Sequence, residues 1–196
     1  MNTLYDFLKF LHVMSFVFMS VPLFNLIVVN ERASLHLSFN YPVDRYMENI
    51  IKHGSVRCYV FQFSVLLTGI LLLIFGPLGF KSIWSNWILI VKTLLLFTLT
   101  GLLSYVHFNL QPGIEKLLAG INPGAEIPES QLAGLKTLRA RRKRLATFCL
   151  FVVIIIIILG LQVYTAFSPA LTLGLIAAAG LFAWRVNKSL IRFGWL

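Results

Sequence analysis

The stretch LKFLHVMSFVFMSVPLFNLIVVNER, residues 8–32, decides how the rest of the chain is read. It stays apolar for longer than the roughly 20 residues a helix needs to cross the hydrocarbon core of a bilayer. After Lys9 its next charge is Glu31. Near its start, however, sits His12, an imidazole at a depth where no bulk water is available to hydrogen-bond it. An ionisable group in that setting needs a partner or a ligand.

Composition extends the first reading to the whole chain. Of 196 residues, 58% are hydrophobic and 12% are charged, against roughly 45–50% and 25% in a soluble domain. The hydropathy pattern predicts an all-α, polytopic membrane bundle of five transmembrane helices, a single domain over residues 1–196. The spans fall at about residues 4–29, 60–79, 84–108, 145–167 and 169–187, with connecting loops at 30–59 and 109–144. No basic n-region or small-residue cleavage site precedes the first span, so it reads as retained rather than cleaved. Pro22 lies inside it and is expected to bend it. Ser168-Pro169 leaves almost no loop between the last two spans, which are expected to pair antiparallel.

Charge orients the bundle. All but three of the 17 Lys and Arg fall in the two loops and the C-terminal tail; the others are Lys9, Lys81 and Lys92. The positive-inside rule then places the N-terminus outside and the C-terminus in the cytoplasm, and a bacterial inner (plasma) membrane is the expected location. The net charge of +10 is accounted for by this topology and calls for no nucleic acid. The run RARRKR, residues 139–144, reads as a topogenic cluster that meets anionic headgroups.

The longer loop is punctuated by QPG (111–113) and NPG (122–124), with a short helix at 114–119 between them and a basic helix at 131–144 continuous with span four. Cys58 and Cys149 fall at the loop-side ends of spans, and no disulfide is expected of them in a reducing compartment. The chain has no phosphate-binding glycine loop, nucleophile elbow, HExxH or CxxC. Any chemistry belongs to the bundle or its rim.

Within the spans, His12 and Lys92 stand out. Each lies about eight residues from its outer boundary, hence roughly 12 Å deep at 1.5 Å per residue, so the two can share one pocket. Phe16 and Met19 share a helical face with His12. Ser64, Thr68 and Gly69 allow close approach on span two. Gln162 and Tyr164 reach a similar level, and Tyr5 and Asp6 stand at the mouth. A lone copper ion fits poorly, because His12 and Met19 are about 10 Å apart along the helix. A haem fits better: it is planar, needs one or two axial ligands and otherwise wants apolar walls. His12 is the candidate iron ligand, with Phe16, Met19 and Lys92 around the group. The bland alternatives are a histidine bonded to a neighbouring carbonyl and a lysine that snorkels to the interface. His36, His53 and His107 lie in or beside the loops without ligand spacing.

The segments LKFLHVMSFVF and WILIVKTLLLF, and the basic loop before a β-branched fourth span, resemble the HemJ and CopD-like membrane proteins over residues 4–167. That resemblance implies a haem b bundle with an essential histidine in the first helix and an essential lysine in the third, matching His12 and Lys92. The region FVFMSVPLFNLIVV lacks the tryptophan, glycine and arginine usual in that family, and LATFCL lacks its Asn-Glu-x-Pro motif. The implied function is electron transfer or oxidation of a hydrophobic substrate, a porphyrinogen in the HemJ case, with Lys92 as charge partner or proton relay and quinone as an acceptor. Two alternatives stand beside it: a non-catalytic subunit of a larger respiratory or photosynthetic membrane complex, and a CopD-like copper or solute transporter.

Overall fold

The computed structural model describes residues 3–31, 40–121 and 128–188. Arg32, His36, the NPG turn and Arg192 lie outside them. Among the described residues there is no strand. The helices are α1 (Thr3–Glu31), α2 (Tyr41–Phe75), the single turn α3 (Ser82–Ser85), α4 (Trp87–Tyr105), a π-helical turn (Val106–Leu110), α5 (Gln111–Ala119), α6 (Glu129–Leu161) and α7 (Pro169–Lys188). Five segments are long and apolar enough to cross a membrane: α1, α2, α4 with its continuation into α5, α6 and α7. The all-α, five-helix architecture expected from hydropathy is the one observed.

The boundaries differ from expectation where polar residues are helical. Most of the expected loop at 30–59 is the start of α2, which begins at Tyr41. Asn40 caps it: its side chain accepts from Val43 N (3.3 Å), while its own backbone N–H donates to Asp44 (3.1 Å). Reciprocal bonds of this kind satisfy amides that the first turn leaves open. At 35 residues, α2 is about 52 Å long, well beyond the ~30 Å hydrocarbon core. It stops at Phe75 rather than at residue 79, because Pro77 cannot continue a helix. The basic helix expected at 131–144 is indeed continuous with span four, the two forming α6, Glu129–Leu161, which ends short of residue 167. Pro22 does not interrupt α1, which is continuous through it.

QPG does not break the chain either. Helix continues from α4 into α5 through the π turn, where Gln111 N–H donates to Val106 O. Pro112 has no N–H to give Phe108 O and its ring crowds that carbonyl; one widened turn absorbs the mismatch.

The helices form a ring. α1 packs on α2 and α6, α4 packs on α6 and only lightly on α2, and α7 lies against α6, confirming the expected last pair. Met19, Leu23, Leu99, Leu103, Val152, Val153 and Ile156 fill the centre. Leu26, Ile27, Ile51, Leu150 and Val186 join α7 to the ring. The outward faces carry Phe10, Val13, Phe63, Leu94 and Phe97, each more than half exposed. Such a girdle is stable in acyl chains and costly in water.

One end of the ring is ionic. Arg142, fully buried, donates from Nε and Nη2 to Asn30 Oδ1 (3.1 and 2.9 Å), from Nη1 to Glu48 Oε2 and Gln111 Oε1 (both 2.6 Å), and from Nη2 to Glu48 Oε1 (2.9 Å). All five guanidinium N–H groups are used. Arg139 adds bonds to Glu48 Oε1 (3.0 Å) and Asp44 Oδ1 (2.8 Å). The run 139–144 is therefore not a uniform headgroup cluster. Being helical, it turns Arg139 and Arg142, three residues apart, into the bundle and leaves Arg141 and Arg144 exposed.

Removing the shared carboxylate strands two buried guanidiniums. Glu48→Ala is expected to destabilise the protein by roughly 3–5 kcal/mol. Thermal unfolding in detergent would read this as a large fall in Tm, with Lys52→Ala, whose partner Glu115 is in a half-exposed pair, barely moving it.

Candidate functional site

Opposite the ionic end lie the two groups singled out in the sequence. His12 comes from α1 and Lys92 from α4; the first faces Gly69 of α2 and the second Gly160 of α6. Both are partly buried.

The His12 ring is anchored on α2. Nδ1 lies 2.9 Å from Thr68 Oγ1. The Thr68 hydroxyl is itself 2.6 Å from the Ser64 carbonyl and 3.3 Å from that of Val65. Carbonyls only accept, so the hydroxyl hydrogen goes to one of them and Oγ1 must accept from His12. The network thus assigns the ring proton to Nδ1 and leaves a lone pair on Nε2. Gly69 makes the approach possible: a Cβ there would lie 3.4 Å from His12 Cε1 and 3.9 Å from Nδ1. Phe16 meets the ring edge-on at 5.5 Å and 72°.

Lys92 crosses to α6. A Cβ on Gly160 would stand 3.3 Å from its Nζ. Among the described residues this amine has no hydrogen-bond or ion-pair partner. Each polar group therefore fills a notch made by a glycine on a facing helix. Gly69 was legible in the sequence as a close-approach residue. Gly160 was not, because a glycine after five isoleucines carries no sign of what faces it.

Two tyrosines meet at the mouth. Tyr5 and Tyr164 share a 2.6 Å hydrogen bond, and the Tyr5 ring packs on Gly76. Partial burial, and then the bond to Tyr5, push the Tyr164 phenol up to about 12. Asp6 does not cap the pocket: it turns outward to Lys9, 3.4 Å away in an exposed pair. Gln162 is buried and accepts from Thr172 (3.2 Å), tying α6 to α7.

Met19 does not face this compartment. It is wholly buried in the apolar core and lines a void of about 30 Å³ with Cys58, Cys149 and Gln62, a space that holds about one water. The cysteines are not at helix ends, as expected, but inside the core, because α2 and α6 begin so much earlier. Both are free. The remaining histidines stay apart: exposed His53 donates to Asn49 O (2.8 Å), and His107 sits in the π turn, edge-on to Tyr59 at 5.9 Å, with its buried Nδ1 unpaired among the described residues. Among the described residues no three His, Cys, Asp or Glu side chains gather to hold a metal ion.

The notches set an expected pattern for substitution. Gly160→Ala meets only the mobile end of Lys92 and is offset by alanine's better helix propensity of about 0.5–1 kcal/mol, so its Tm in detergent should hold or rise. Gly160→Leu must evict the amine and should cost roughly 1–3 kcal/mol. Comparison of the chain with family models, with curated proteins and with solved structures finds no match.

Proposed function

We propose that this protein is a membrane haem b protein, with His12 as an axial ligand and Lys92 beside the group. One observation carries the reading: an imidazole anchored on α2 through Nδ1 is held in a membrane bundle at the level of an amine that, among the described residues, has no hydrogen-bond or ion-pair partner. Ligating histidines are typically oriented in this way, by a hydrogen bond from the other ring nitrogen. The donor set fits a haem better than a bare ion. With no three-ligand cluster among the described residues, the metal would arrive in a macrocycle that brings its own equatorial nitrogens.

When bound, a haem supplies one-electron redox chemistry. The chain's own residues do the rest. Thr68 fixes the ring orientation of His12 and makes it a firmer donor. Lys92 would pair with a propionate or hold a proton for transfer. Phe16 walls the imidazole, and the Tyr5–Tyr164 pair limits entry of water from the mouth. The void below holds about one water, so a macrocycle would have to be seated at the His12–Lys92 level, where neither residue is fully buried. The work that follows is electron transfer or oxidation of a hydrophobic substrate, with a porphyrinogen and a quinone as the substrate and acceptor that the HemJ resemblance implies. The protein sits in a bacterial plasma membrane, its basic end facing the cytoplasm.

Two measurements test this. Protein purified in detergent and supplemented with haemin should show Soret and reduced α bands that disappear in His12→Ala and persist, shifted in midpoint potential, in Lys92→Ala; a wild type without bands overturns the reading. Separately, a phosphatase that folds only outside the cytoplasm should be active when fused at the N-terminus and inactive at the C-terminus.

A further inference from the structure

We propose that the groove between α6 and α7 at the basic end is a binding site for one anionic glycerophospholipid. The groove has a volume of about 330 Å³. Its walls are apolar: Phe148 and Phe151 from α6, Gly180 and Trp184 from α7. Phe148 is 49% and Trp184 53% exposed, so ring faces are left uncovered along it. Gly180 keeps it open, since a Cβ there would already lie 3.8 Å from the Phe151 ring and any longer side chain would occupy the space.

The rim has the opposite character. Arg144 opens onto the groove and, unlike Arg139 and Arg142, makes no ion pair among the described residues. Asn187 Oδ1 accepts from Thr147 (3.3 Å), which leaves the Asn187 amide N–H groups as donors. Lys188 Nζ lies 4.0 Å over the Trp184 ring, bringing a second cation to the same edge. The groove lining includes no carboxylate. A rim of donors and positive charge recognises a phosphate, and walls of aromatic rings recognise an acyl chain; the ligand with both is a phospholipid. Net negative charge is required, because the ammonium of a zwitterionic headgroup would meet Arg144 and Lys188. Free phosphate would leave the walls empty.

Two features of the chain fit the site. On α7, Ala179 is buried, whereas Gly180 floors the groove. The basic run 139–144 divides its labour, with the inward arginines bracing the bundle and Arg144 free to meet a headgroup.

The test is native mass spectrometry of the whole protein in non-ionic detergent, with phosphatidylglycerol and phosphatidylcholine of the same acyl chains at equal concentration. The wild type should retain one phosphatidylglycerol in preference to phosphatidylcholine. Arg144→Gln should lower that adduct about fivefold, the effect of one basic residue at a membrane surface. Gly180→Leu should remove it with no change in charge. Arg141→Gln deletes a charge from the same run, but its guanidinium stacks 5.3 Å over Tyr105 instead, and it should leave the adduct intact. Equal retention of the two lipids, an equal loss in Arg141→Gln and Arg144→Gln, or displacement of the lipid by millimolar inorganic phosphate would each overturn the proposal.

Discussion

The interaction on which the bundle depends is the burial of Arg142 against Glu48. A guanidinium and a carboxylate removed from water are tolerated only when every donor and acceptor finds a partner. Here Asn30, Gln111 and Arg139 complete the set. The consequence is geometric. The cluster pins α1, α2, α6 and the α4–α5 rod at one end, and helices are stiff rods. From Asn30 to His12, Glu48 to Thr68, Gln111 to Lys92 and Arg142 to Gly160, the separations along the four rods are 18, 20, 19 and 18 residues. At 1.5 Å per residue these are all about 27–30 Å, close to the thickness of the hydrocarbon core. Fixing the ionic end thus brings the four groups to one level at the other.

The two ends make opposite use of polarity. At the basic end, all five Arg142 donors and both Glu48 oxygens are engaged, an arrangement suited to bracing. At the tyrosine end, His12 retains a lone pair and Lys92 retains all its donors among the described residues. Polar groups buried in a membrane without partners are costly to keep. Their presence beside glycine notches, rather than replaced by packed leucine, is the physical ground on which a bound group is proposed there. Between the ends lies a core so well packed that its void admits about one water, which separates the two ends along the axis.

The α2–α4 seam differs from the other helix contacts. It is joined through polar side chains, Thr100 to Gln62 (3.0 Å) and Tyr59 to Ser104 (2.9 Å), rather than through a broad apolar face. In a bilayer, where helix association gains little from the hydrophobic effect, such bonds hold helices in register while permitting separation at a level that lacks them. The His12–Lys92 level is one such place.

Much of this architecture was legible in the residues themselves. Long apolar runs require helices because a bilayer leaves no other way to satisfy the backbone. Depth counting put His12 and Lys92 at matching levels because helical rise is constant. The NYPVD start of α2 was read as loop because it is polar, although Asn40 caps the helix and Pro42 sits in its first turn. What only the tertiary structure decided was direction. A run of basic residues does not say which of its members turn inward, and the answer depends on Asp44 and Glu48 arriving from nearly a hundred residues away. Neither the lone pair on His12, set by Thr68 of another helix, nor the meeting of Cys58, Cys149 and Met19 around one void has a local signature. Periodicity and hydropathy describe each rod separately; the partners of its side chains are fixed only when the rods pack.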